Sequence, residues 1–133
     1  MGFRLLLIDD HPIFREGLLG LLRLREDLEV VGQGSNGLEA VALARQLKPD
    51  MILMDITMPE LDGLEATRRI KAEWPDVRIL ILTASEDEQN LFKAVKAGAQ
   101  GYILKSHPSG EILSLIAAAA KGEAAFTPRL ASK

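Results

Sequence analysis

Five short apolar runs punctuate the chain: RLLLID (4–9), LEVVGQG (28–34), MILMD (51–55), VRILILT (77–83) and GYILK (101–105). Within them LLLI, MILM and ILIL are apolar at every position, without the alternation of a half-exposed strand. Unbroken apolarity over so few residues predicts parallel strands covered by helices on both faces. The intervening segments carry helical spacing and start signals. Pro12 stands where a first-turn proline would, opening PIFREGLLGLLRLRE. Asn36 with Glu39, Asp62 with Glu65, and Ser85 with Glu88 each pair an N-cap residue with an acid three positions on. Pro49, Pro75, Gly98 and Gly122 supply the stops. The resulting strand–helix alternation, repeated through the chain, predicts an α/β fold with a parallel sheet and right-handed crossovers. The last stretch, EAAFTPRLASK (123–133), has little pattern and reads as a linker, a tail or a short last helix.

Composition narrows the classes. A chain of 133 residues is one domain's worth, with 47% hydrophobic and 26% charged residues. A net charge of −3 argues against a nucleic-acid surface on this segment itself. The absence of cysteine excludes disulfides, thiolate nucleophiles and thiolate metal sites. His11 and His107 do not form a ligand pair at helical or strand spacing, which argues against a zinc site. The apolar core Leu5–Ile8 is too short for a signal peptide or a membrane span. Leu6 stands where a myristoylation motif needs Ser or Thr. A cytoplasmic protein without membrane attachment is expected.

In open parallel sheets ligands bind beyond the carboxyl ends of the strands, where the strand order reverses. Here those ends carry Asp9 and Asp10, Asp55, Thr83 and Lys105. Each alone reads as a turn residue, and Asp9–Asp10 also as a helix cap before Pro12. Together they place three acids, a hydroxyl and an ammonium on one edge. Clustered carboxylates need a cation, and Mg2+ is held by carboxylates, waters and phosphate oxygens. Carboxylates, Mg2+, Lys and Thr around an open position describe phosphoryl transfer. Asp55 ends the most central run and is the best nucleophile, forming an acyl phosphate. The loop ITMPELDG after it could lend a backbone carbonyl to the metal, with Asp10 as ligand and Asp9 as partner acid.

LIDDHPIFREGL, LMDITMPELDGLEATRRI, ILILTASEDE and AGAQGYILKS resemble a CheY-like receiver domain of bacterial two-component response regulators, specifically the NarL/FixJ (LuxR-type) subfamily. The resemblance spans about residues 3–122. It implies a flavodoxin-like, doubly wound sheet of five parallel strands in the order 2-1-3-4-5, with five helices in a three-layer α/β/α arrangement. It also implies that Asp55 is the phosphoacceptor and that Mg2+ is held by Asp10, Asp55 and the backbone carbonyl of Thr57, with Asp9 acting through water. Lys105 then pairs with the phosphoryl group, Thr83 moves to bond it, and Tyr102 is the aromatic that switches rotamer with Thr83. The implied partners are a sensor histidine kinase, a second copy of the chain, and DNA through a C-terminal helix-turn-helix domain that lies outside this chain. Residues 1–122 are expected to form the receiver, and 123–133 a linker trimmed ahead of that domain. Ser106 stands where many receivers have proline, with Pro108 further on.

Other residues have plainer readings. Tyr102 can be a half-buried strand aromatic, Trp74 the cover of a helix end, and His11 a loop residue at the metal rim. Met51, Met54 and Met58 read as fillers, and SEDEQ as a solvated first turn. Two competing functions are weighed. A Mg2+-dependent phosphatase with an aspartyl-phosphate intermediate needs an acid two residues after its nucleophile, where Thr57 stands. A phosphorylation-incompetent binding module is weakened because all five key positions are filled.

Overall fold

The computed structural model describes residues 3–84 and 87–123, and the backbone of 125–126. Six parallel strands, β1 (Phe3–Ile8), β2 (Leu28–Gly34), β3 (Met51–Met54), β4 (Arg78–Thr83), β5 (Gly101–Leu104) and β6 (Ala125–Phe126), lie in the order β2-β1-β3-β4-β5-β6. Five helices connect them: α1 (Pro12–Leu22), α2 (Gly37–Leu47), α3 (Gly63–Glu73), α4 (Glu88–Ala97) and α5 (Ser109–Ala120). The five main strands and five helices have the expected doubly wound topology. The addition is β6, two residues paired to Gly101 and Tyr102 at the sheet edge, within the segment expected as linker, tail or helix. Among the described residues no helix is long and apolar enough to cross a membrane.

Successive strand residues point to opposite faces, and both faces are covered. On one, Leu6, Ile8, Ile52, Met54, Ile79, Ile81 and Leu104 pack with Ala40, Ala66 and Ala94 of α2, α3 and α4. On the other, Leu5, Leu7, Met51, Leu53, Leu80, Leu82 and Ile103 pack with Leu18 and Leu22 of α1 and Ile112 and Ile116 of α5. This two-sided burial is why the runs do not alternate. Each fully buried aliphatic side chain contributes roughly 1.5–3 kcal/mol. Met51, Met54 and Met58 lie in the core as expected, and Trp74 closes α3 against it.

Local chemistry sets the helix ends. Asn36 Oδ1 accepts from the Glu39 N–H at 2.8 Å, and the Glu39 carboxylate reaches back to the Ser35 N–H at 2.7 Å. Asp62 Oδ1 accepts from the Glu65 N–H at 2.8 Å. Two starts differ from the sequence reading. Helix α4 begins at Glu88 with Asp87 as its cap, accepting from the Gln89 N–H at 2.9 Å. Ser85 and Glu86, in the segment expected to open that helix, lie outside the described residues. The residue before Pro12 is the N-cap of α1, so the cap is His11, without a side-chain capping bond to the helix, and not Asp9 or Asp10. Helix α2 stops at Lys48, left-handed at φ 49° just before Pro49, and α4 stops at Gly98 with φ 106°.

Candidate functional site

The sheet ladders run one residue past the strands and set the site backbone. The Asp9 N–H donates to Gly34 O at 3.0 Å, the Asp55 N–H to Ile8 O at 3.0 Å, and the Lys105 N–H to Thr83 O at 2.8 Å. Asp9, Asp55 and Lys105 therefore follow β1, β3 and β5 directly, and Thr83 is the last residue of β4. All lie on the carboxyl edge, next to the reversal between β1 and β3.

The side chains converge. Asp9 and Asp55 are buried, at 0% and 3% exposure. Lys105 Nζ lies 2.7 Å from Asp9 Oδ2 and 3.3 Å from Asp55 Oδ2, its own side chain nearly buried. The Phe14 ring of α1 sits beneath that ammonium, with its centroid 4.6 Å away. Asp55 Oδ1 accepts from the Ile56 N–H at 2.8 Å. Burial pushes the Asp55 carboxyl above the usual carboxylate range; Lys105 pulls it back and the neighbouring Asp9 charge pushes it further up. Asp10 Oδ1 and Asp55 Oδ2 are buried and accept no well-formed hydrogen bond. Lys105 faces Asp55 Oδ2, as it does Asp9 Oδ2, as an ion partner off hydrogen-bond geometry. One ammonium against three carboxylates leaves net negative charge, and oxygens without donors suit a hard cation. Asp9, Asp10, His11 and Asp55 each offer a ligand atom, all within 4.8 Å of one another.

Thr83 is buried at 3% exposure and Tyr102 at 0%. The Tyr102 side chain is thus an interior one, not the half-buried aromatic of the plainer reading. Burial pushes its phenol up to about 12, against the opposing effect of a hydrogen bond with Thr83. The Thr83 hydroxyl is in this way linked to the largest fully buried side chain of β5.

The loop after Asp55 folds back on itself. The Gly63 N–H donates to Ile56 O at 2.8 Å, and the Gly37 N–H of α2 donates to Leu61 O at 2.9 Å. A Cβ at Gly63 would lie 1.9 Å from the Asp55 carbonyl oxygen, so only glycine lets α3 start against the acid's own backbone. Thr57 is exposed within this loop, two residues after Asp55. Ser106 in place of proline leaves Lys105 within reach of both acids. A separate cavity of about 330 Å³ at the opposite end of the sheet, lined by Phe3, Pro49, Asp50, Trp74 and Arg78 among others, contains none of the expected site residues.

His11 lies at the rim of the site, as expected, with an exposed side chain. Its Nδ1 turns from that rim toward the acids, 3.1 Å from Asp9 Oδ1, 3.4 Å from Asp10 Oδ1, 3.5 Å from Asp55 Oδ2 and 3.1 Å from Lys105 Nζ. The available signal was its position directly after Asp9 and Asp10.

Comparison with known proteins gives the same picture. Residues 5–117 match the family described as the response regulator receiver domain. The response regulator protein VraR of Staphylococcus aureus is 39% identical over 133 residues, covering all of this chain; the chain spans 64% of that relative's length. The crystal structure of a LuxR-family two-component response regulator from Aurantimonas sp. SI85-9A1 is 39% identical with a TM-score of 0.93, covering 99% of this chain and 94% of that one. The signal receiver domain of the response regulator NarL from Mycobacterium tuberculosis is 32% identical with a TM-score of 0.87, covering 92% of this chain and 98% of that one. An acid-lined carboxyl edge on this sheet, matched along nearly the whole chain, makes it a member of the response regulator receiver domains, of the LuxR/NarL type.

Proposed function

We propose that Asp55 is the phosphoacceptor of this receiver and that its phosphorylation switches the domain. The observation that carries the reading is a buried carboxylate with one oxygen held by the Ile56 N–H and the other facing Lys105 at 3.3 Å. The Asp55 carboxylate attacks phosphorus, a new oxygen–phosphorus bond forms, and the donor leaves with the electron pair of its own bond to phosphorus. Lys105, held at 2.7 Å by Asp9, stands ready to pair with the incoming phosphoryl oxygens. Asp10, Asp55 and the backbone carbonyl of Thr57 would hold Mg2+, with Asp9 acting through water; when bound, it supplies positive charge that offsets charge developing on the phosphoryl oxygens. The buried, donor-poor oxygens of Asp10 and Asp55 fit that role.

The readout begins at Thr83. Its hydroxyl turns from Tyr102 to the phosphoryl group, Tyr102 changes rotamer, and the face formed by α4, β5 and α5 follows. The added charge of about −1.5 to −2 provides the bias. A histidine kinase is the proposed donor, and a second copy of the chain a proposed partner. Residues 123–133 are proposed to lead toward a DNA-binding domain that gives a cytoplasmic transcription regulator its output. The test is beryllofluoride with Mg2+, followed by amide exchange over residues 87–110. Wild type should change protection there and Asp55→Asn should not; an identical response from both overturns the assignment.

A further inference from the structure

We infer that His11 is a nitrogen ligand of the same cation site, and that the site therefore takes a borderline first-row divalent cation of the Co2+, Ni2+, Zn2+ class more tightly than Mg2+. This rests on the site being a cation site at all, as proposed above. His11 Nδ1 lies 3.1, 3.4 and 3.5 Å from carboxylate oxygens of Asp9, Asp10 and Asp55. Four ligands around one ion at about 2.0–2.1 Å in tetrahedral geometry lie roughly 3.3–3.4 Å apart. The imidazole nitrogen is thus near enough to all three acids to share one ion with them, and the four ligand atoms, all within 4.8 Å of one another, draw in around it. Two of those acids, Asp9 and Asp55, have side chains at 1% and 4% exposure. The oxygens of Asp10 and Asp55 that face the ring, Oδ1 and Oδ2, are the ones that accept no well-formed hydrogen bond.

The backbone holds this arrangement. Asp9 Oδ1 accepts from the His11 N–H at 2.9 Å, and Pro12 follows at the first turn of α1, so the ring enters the site from a fixed base. Ligation through Nδ1 requires the ring proton on Nε2. Without a cation Nδ1 lies 3.1 Å both from Lys105 Nζ, which can only donate to it, and from Asp9 Oδ1, which can only accept from it, so ligation takes the ring in the tautomer that Lys105 favours. The His11 side chain is 61% exposed, so an Nε2–H can be served by water. Arrival of a cation displaces Lys105 from Nδ1 and weakens its 3.3 Å pairing with Asp55 Oδ2, while its ion pair with Asp9 Oδ2 uses an oxygen the ring does not face. Mg2+ favours oxygen and keeps its waters, whereas an imidazole suits the later first-row ions. His11 and His107 are not paired as zinc-binding histidines are, but one imidazole beside three carboxylates is a different donor set.

The test is calorimetric titration of the whole chain with MgCl2 and with ZnCl2, together with visible spectroscopy of the Co2+ form. Wild type should bind Zn2+ more tightly than Mg2+ and give a Co2+ d–d band of a nitrogen-containing site. His11→Ala should weaken Zn2+ by about tenfold or more, weaken it more than it weakens Mg2+, and lose intensity in that band. His107→Ala, which removes a surface histidine paired with Glu111, should leave the Co2+ band intact. The inference is overturned if His11→Ala leaves Zn2+ affinity unchanged, if it tightens every cation (His11 then being a plug), or if the band follows His107. Wild type that binds Mg2+ without preferring Zn2+ overturns this inference alone. Wild type that binds no divalent cation overturns the cation site itself.

Discussion

Gly63→Ala tests how the site is held. A Cβ there would sit 1.9 Å from the Asp55 carbonyl oxygen, 2.9 Å from its carbonyl carbon and 3.0 Å from Ile56 Cα. The first distance falls short of ordinary contact by about 1.5 Å, and all three neighbours are backbone, so no side chain can rotate away. Helix α3 must withdraw from the end of β3, which also stretches the Gly63 N–H bond to Ile56 O, now 2.8 Å. Overpacking costs about 1–3 kcal/mol and a lost hydrogen bond about 0.5–1.5, while alanine regains about 0.5–1 in a helix. The net is a loss of about 2–3 kcal/mol, or roughly 8–12 °C in Tm for a chain of this size. Because the displaced carbonyl belongs to Asp55, phosphoryl acceptance should fall by about 100-fold even at a temperature where the variant is folded. Thermal and urea unfolding measure the first effect, and the initial rate with acetyl phosphate the second. Gly17→Ala and Gly20→Ala are the controls: neither Cβ would meet anything within 4 Å, both positions are exposed on α1, and each should gain about 0.5–1 kcal/mol. A Gly63→Ala protein that melts with wild type and accepts phosphate at the same rate would refute the argument.

Three further outcomes are expected. Asp55→Asn should raise stability by about 1 kcal/mol at neutral pH without divalent cations, because it removes a buried charge. The folded Asp55 carboxyl lies above its unfolded value; its stabilising contribution is complete below the unfolded pKa and is lost as pH rises through the folded one, so the gap between variant and wild type should open over that range in pH-dependent melts. An equal gap at all pH would contradict it. Lys105→Ala leaves Asp9 and Asp55 without their ammonium and should cost roughly 2–4 kcal/mol in urea unfolding, partly restored by excess Mg2+; no loss would mean the pair is unimportant. Thr83→Ala should still accept phosphate but lose the change in amide exchange over 87–110, and an unaltered exchange response would break the proposed link through Tyr102.

The parts of the fold legible in the sequence were those written in local pattern. MILM and ILIL had to be interior strands because nothing in them can face water, and Asn36 and Asp62 cap the helices their spacing announced. The acids and Lys105 were legible as strand ends, since topology alone brings such ends together. What escaped depends on packing between distant segments. His11 is the rim residue it looked like, but nothing in the sequence aims its ring at Asp55. Gly63 follows the cap Asp62 as a first helical residue, and nothing local tells that the carbonyl of Asp55 lies against it. Tyr102 could sit half-buried or inside on one and the same strand; only the cover of helices over β5 decides. The pairing of β6 with Gly101 and Tyr102 likewise has no local signature in a two-residue stretch.

The most direct measurement is intact mass and peptide mapping after incubation with Mg2+ and acetyl phosphate. The account predicts a single phosphoryl adduct on the peptide carrying Asp55, absent from Asp55→Asn and dependent on the divalent ion. An adduct that persists in Asp55→Asn, or that maps to Asp9 or Asp10, would contradict it.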